Sequence, residues 1–259
     1  MRDSTTHSGF TLIELSVVLV IIGLIVGGVM VGRDLINASK VRATVSQLEK
    51  FKAATNVFSN KYNGLPGDLF NSANYFAVTN GWNGLVGNGN GLGNGNGNIE
   101  SWITFPFAEL SGEPIVYWGE LSAANLIGDT ISSTALNYTV STDIPSTNLL
   151  PAAKLGGGNY FAVEVSTSTN YFILGKVTST PSGATLNYGL TPWQAYQIDI
   201  KIDDGSPSSG DATSISRNFD GGGVVSSPGA NKCASATGIY DIVANPNTVE
   251  CVLGIRARF

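Results

Sequence analysis

Apolar residues fall along this chain in three patterns. From Phe10 to Val31 they run almost without interruption, "FTLIELSVVLVIIGLIVGGVMV", with Thr11, Glu14 and Ser16 as the polar exceptions. From Val41 onward they recur at spacings of three and four, at Val45, Leu48, Phe51, Thr55, Phe58 and Tyr62. A helix rises about 1.5 Å per residue and needs about 20 apolar residues to cross the hydrocarbon core of a bilayer. The first pattern therefore predicts a membrane-spanning helix over 10–31. The second predicts an amphipathic helix, with Lys40, Arg42, Gln47, Glu49, Lys50 and Asn56 on its other faces. Joined, they make one helix over 10–62, about 80 Å long at that rise. The "NGLPGD" at 63–68 stops it through glycine and proline. Sustained heptads with charged flanks are missing, so the stripe is assigned to seating a globular domain and not to a coiled-coil seam.

The third pattern lies further on. "NYFAVEVSTSTNYFILGKV" reads as two strands around a Ser/Thr/Asn turn at 166–170, and "GATLNYGL" offers a third. Before them, "SGEPIVYWGELSAANLIG" at 111–128 reads as a helix. Ser111 is its cap, Pro114 lies in its first turn, and Tyr117, Leu121, Ala124 and Leu126 supply its buried face. The stretch 190–210 is ambiguous, because Ile198, Ile200 and Ile202 alternate as in a strand. Thr191, Pro192 and Gln194 resemble a helix start and Gly205 a helix stop, and helix is the assignment. The fold class expected is α+β: a long N-terminal helix packed on a C-terminal domain with an antiparallel sheet and short helices.

Composition narrows the possibilities. A chain of 259 residues with net charge −5 and pI about 4.8 offers no basic field for nucleic acid. Residues 81–98, "GWNGLVGNGNGLGNGNGN", contain neither a dinucleotide fingerprint nor a phosphate loop, and lack the aspartates of calcium-binding repeats. The expectation is a mobile surface loop, with a specialised subunit contact or ligand loop as the alternative. Cys233 and Cys251 read as a disulfide if the domain is exported, worth about 3 kcal/mol. Zinc is the poorer reading, for want of C-x-x-C spacing and a nearby histidine; two free buried thiols are the third. Asp203 and Asp204 are weak calcium candidates, since paired aspartates more often just end a helix. No other metal and no cofactor is expected.

Glu14 is the only charge between Phe10 and Gly32, and an intramembrane carboxylate is usually paired or functional. No small-residue cleavage site follows the apolar run before Arg33, so the run reads as retained. The stretch "GFTLIELSVVLVIIGLIVGG" resembles the N-terminus of type IV pilins and of the pseudopilins of type II secretion. That resemblance implies a leader, residues 1–9, removed between Gly9 and Phe10 by a prepilin peptidase that also N-methylates Phe10. The leader departs from the family in that Arg2 is offset by Asp3. The resemblance implies that Glu14 pairs with the Phe10 amine of a neighbouring subunit, setting axial register in a low-dielectric filament core. The pairs Gly23/Gly27 and Gly28/Gly32 have the small-x-x-x-small spacing that lets helices approach. The helix lacks the proline that many pilins carry there.

The same resemblance implies an inner-membrane protein, single-pass, whose domain 63–259 lies in the periplasm. After assembly it would belong to an extracellular pilus or a periplasmic pseudopilus. Arg33, Lys40 and Arg42 after the span argue the opposite topology by charge alone, but long domains translocate largely regardless of charge. The implied partners are other pilins in a homo- or hetero-oligomeric filament, the prepilin peptidase, a platform protein and a motor ATPase. The alternative is a minor pilin whose exported domain binds a surface, a secreted substrate or DNA. An enzyme is not expected: His7, the only histidine, leaves with the leader, which removes Ser-His-Asp and Cys-His catalysis.

Overall fold

The structure, a computed structural model, describes residues 11–70, 72–76, 93–100, 113–131, 149–180, 183–215, 233–235 and 238–259. Helix α1 is continuous over Leu12–Tyr62. The chain divides into two units at Lys40 and Val41. In the first, the apolar side chains of α1 are exposed along the whole run, from Leu12 at 88% through Val31 to Ile36.

In the second unit, one face of α1 enters the core. Val41, Leu48, Phe51, Thr55 and Phe58 are buried, with Val45 and Tyr62 packed at the margin, which is the expected stripe. Phe51 meets Trp118 and Phe161 edge-on, at 4.8 and 5.4 Å between ring centroids. Gln47 corrects the sequence reading. Assigned above to the outer faces, it is 7% exposed, donates from Nε2 to the Ala152 carbonyl and accepts the Lys154 N–H. Two hydrogen bonds to a distant loop offset the cost of burying its amide. The helix ends where Asn63 turns left-handed (φ 56°) while still donating to Ser59.

Helix α2 covers Glu113–Ala123. It is shorter than the stretch expected, because Asn125 is left-handed (φ 56°) and Leu126 N–H bonds back to the Leu121 carbonyl, a C-terminal cap. Tyr117 and Leu121 are buried as anticipated, and Val116 and Trp118 join them. Ser111, the anticipated cap, lies outside the described residues.

Strands β1 (Asn159–Ser166) and β2 (Thr169–Thr180) pair antiparallel, Ser166 opposite Thr169. Thr167 and Ser168 supply two left-handed residues between them, the twist a two-residue hairpin needs. β3 (Gly183–Asn187) pairs with β2. Helix α3, Pro192–Ile202, carries a complete capping box in which Thr191 and Gln194 exchange side chain-to-backbone bonds. The isoleucine alternation is thereby overruled: Ile198 is buried and Ile200 is 47% exposed. Two short strands follow, β4 (Ala212–Ser214) and β5 (Leu253–Arg256), neither of them foreseen. The sheet has five strands in the order β1-β2-β5-β4, with β3 also on β2. This is the α+β arrangement expected.

Candidate functional site

The sequence pointed first to the start of α1. Gly9 and Phe10, the expected cleavage and methylation positions, lie outside the described residues. Glu14 is described and exposed. Its Oε2 accepts from both the backbone N–H and the hydroxyl of Thr11, each at 2.8 Å, while its own N–H donates to Thr11 Oγ1 at 3.3 Å. This is a capping box. Thr11-x-x-Glu14 carried that signal in the sequence, hidden behind the question of the membrane charge. A Cβ placed on Gly23, Gly27, Gly28 or Gly32 would meet nothing within 4 Å. The fold of the chain itself thus makes no demand for small residues there.

Cys233 and Cys251 form a disulfide in the structure, with Cα atoms 5.0 Å apart. Both are buried. The bond closes the segment carrying Tyr240 and ties it to Leu190, which bridges Cys251.

Asp203 and Asp204 meet a third carboxylate that the sequence did not single out, Asp199 of α3. One oxygen from each lies within 4.8 Å of the others. Asp199 is buried and accepts from Gly205 N–H at 3.0 Å and Tyr240 O–H at 2.7 Å. Burial first, then the neighbouring Asp203, push its pKa up to about 8. Asp203 accepts the N–H groups of Asp211 and Ala212. Burial opposes its ionisation, but the bonds to Asp199 and those amides hold it below the usual carboxylate range. Asp204 takes Ser206 N–H and Ser209 O–H. The arrangement ends α3 and starts β4, the role that helix-terminating aspartates usually have.

A second carboxylate group surrounds the end of the Gly/Asn tract. Residues 81–92 lie outside the described residues; 93–100 are held from three sides. Asp68 accepts Gly95 N–H at 2.6 Å on one oxygen and Gly97 N–H at 2.7 Å on the other. Glu113 accepts Glu100 N–H at 2.8 Å and Asn94 N–H at 3.3 Å. Asn170 of β2 accepts Ile99 N–H and donates to the Gly97 carbonyl. The expectation of a mobile loop is thus corrected for this part, because buried carboxylates take up its backbone donors. Beside them Glu120 accepts Gly67 N–H at 2.7 Å on one oxygen, while its other oxygen is buried without a hydrogen-bond partner. Asp68, Glu113 and Glu120 are 2%, 0% and 1% exposed. No lysine, arginine or histidine pairs with them among the described residues. Burial raises all three, Glu113 to about 7 and Glu120 to about 8. The tract's composition pointed to a linker, and nothing local in it reveals acceptors 27 and 29 residues away in Asp68.

Residues 5–30 match a known family model, the prokaryotic N-terminal methylation motif. With the long apolar α1 and the α+β domain, the match supports a type IV pilin-like family. No curated protein and no solved structure matches the chain.

Proposed function

We propose that this chain is a structural subunit of a type IV pilus or of a related secretion or competence filament. The observation that carries the reading is the methylation motif, set on a helix whose apolar side chains are exposed for more than five turns. Such a surface in water would cost about 25 cal/mol per Å² of apolar area, so it requires lipid before assembly and neighbouring helices afterwards. The open glycine positions leave room for close helix approach. Prepilin peptidase cuts between Gly9 and Phe10 and methylates Phe10. A platform protein and a motor ATPase then extract the subunit from the inner membrane, its 63–259 domain standing on the periplasmic side.

The test is mass spectrometry of the membrane-extracted protein. A chain beginning at methylated Phe10 is expected, and an intact Met1 terminus in cells with active prepilin peptidase would overturn the reading. Replacing Gly9 by a bulky residue should leave the leader attached.

A further inference from the structure

We propose that Asn63, at the end of α1, is a site of chemical modification: it deamidates through a cyclic imide to aspartate and isoaspartate, with water as the co-reactant. Asparagine is a labile residue, and most so before glycine, which has no side chain to keep its own amide nitrogen from the carboxamide carbon. Three such pairs lie in the described residues, Asn63-Gly64, Asn94-Gly95 and Asn96-Gly97. The fold restrains the last two and leaves the first unrestrained.

In the two later pairs both reacting groups are tied. Gly95 N–H donates to one oxygen of Asp68 at 2.6 Å, and Gly97 N–H to the other at 2.7 Å. The Asn94 carboxamide accepts Asn96 N–H at 2.9 Å and donates to one oxygen of Glu100 at 3.2 Å. The Asn96 carboxamide accepts Asn98 N–H at 2.8 Å and donates to the other Glu100 oxygen at 3.1 Å. Cyclisation must turn each glycine nitrogen away from Asp68 and each carboxamide away from its partners, and every bond broken slows it.

Asn63 differs on both counts. It ends α1 in the left-handed conformation (φ 56°), held by its own N–H on the Ser59 carbonyl. Neither its carboxamide nor the Gly64 N–H has a hydrogen-bond partner among the described residues. Rotation about the Asn63 ψ bond, which carries the Gly64 nitrogen toward the carboxamide carbon, therefore breaks no hydrogen bond of either group. Asn63, Asn94 and Asn96 are all exposed, so access of water does not separate them. Hydrogen bonding does.

Hydroxide takes the Gly64 amide proton and the nitrogen bonds to Asn63 Cγ. The Cγ–Nδ2 bond breaks, and ammonia leaves with a proton from water. A second water opens the imide at one carbonyl or the other, giving aspartate or isoaspartate. The new carboxylate stands at the negative end of the α1 dipole and lines the same groove as Asp68. In the isoaspartyl product the backbone also runs through an extra carbon at the turn that leads from α1 into the rest of the domain.

The experiment is timed incubation of the full chain in nonionic detergent and mildly alkaline buffer, followed by peptide mapping with mass spectrometry and fragmentation. Asn63 should convert at least about tenfold faster than Asn94 or Asn96, since several hydrogen bonds guard each of those. Isoaspartate should appear among its products, and the three rates should converge in concentrated urea. Equal rates in the folded chain would overturn the proposal. Faster conversion at Asn94 and Asn96 would overturn it in favour of Asp68 acting as a base on the Gly95 and Gly97 amides. An order that persists in urea would show that neighbouring sequence, and not the fold, selects the site. Aspartate without isoaspartate would overturn the cyclic route.

Discussion

Glu14 has two calls on one carboxylate. Within the chain it caps its own helix through Thr11, and in the proposed filament it attracts a neighbour's Phe10 amine. Glu14→Val removes a group that is costly in a bilayer, so the protein should accumulate normally and lose its leader normally. Filament incorporation should be lost, as read by shearing filaments from cells and immunoblotting. Wild-type filament carrying this substitution would defeat the pairing mechanism while leaving the family reading intact. Gly67 presents a different constraint. Its φ is +82°, and an added Cβ would lie 2.5 Å from the Glu113 carbonyl oxygen. Gly67→Ala should therefore cost more than about 1 kcal/mol, seen as a lower midpoint in urea denaturation of the detergent-solubilised chain. Phe51, buried between Trp118 and Phe161, should cost about 3–5 kcal/mol on truncation to alanine.

The elements differ in how much of themselves they show in sequence. The stripe of α1 was legible because one face of one helix obeys one period: Val41, Leu48, Phe51, Thr55 and Phe58 are all buried, with Thr44, Gln47 and Ala54 widening the buried face beside them. The helix α3 was legible because its start is chemically local: Thr191, Pro192 and Gln194 interact within a single turn. Thr191→Ala should cost about 1 kcal/mol, measurable in the same denaturation assay. β4 and β5 were not legible. They are three and four residues long, too short for alternation to register, and they pair with each other across some 40 residues. Gln47, Asp199 and the loop at 93–100 escaped for a related reason. Each is a polar group whose partner lies far off in sequence, and periodicity carries no information about such partners. The disulfide stands between these cases: two cysteines suggest a bond, but the residues it gathers, Leu190 and Tyr240, are visible only in the fold. Cys251→Ser should lower stability by about 3 kcal/mol, and peptide mapping without reductant should recover Cys233 and Cys251 in one linked pair.

At the scale of the molecule, buried carboxylates govern how stability depends on pH. Glu113, Glu120 and Asp199 are raised to about 7, 8 and 8, in each case chiefly by burial. A raised carboxyl pKa means that the folded chain holds protons the unfolded chain has released. Stability from these groups is therefore full below the unfolded values near 4 and declines as pH rises, levelling off above about 8. Asp203, which is lowered, acts in the opposite sense and only at the acid end. Denaturation midpoints should fall between about pH 5 and pH 8, and Glu120→Gln should flatten that slope. A midpoint that rises over this interval would show that these carboxylates are ionised in the fold at no cost.

The sheet order β1-β2-β5-β4 has a kinetic corollary. β5 follows every other described element and yet lies between β2 and β4, facing Leu174 and Tyr171 on one side and Ala212 on the other. Until residues 253–256 have left the ribosome, β2 and β4 have no common neighbour, and the contacts that close the sheet span about 80 residues of chain. Such non-local closure is slow and comes late. Nascent chains stalled before Leu253 should stay open to protease across β2 and β4, whereas chains extended past Arg256 become resistant. Until β5 is made, β2 and β4 thus lack the strand that joins them.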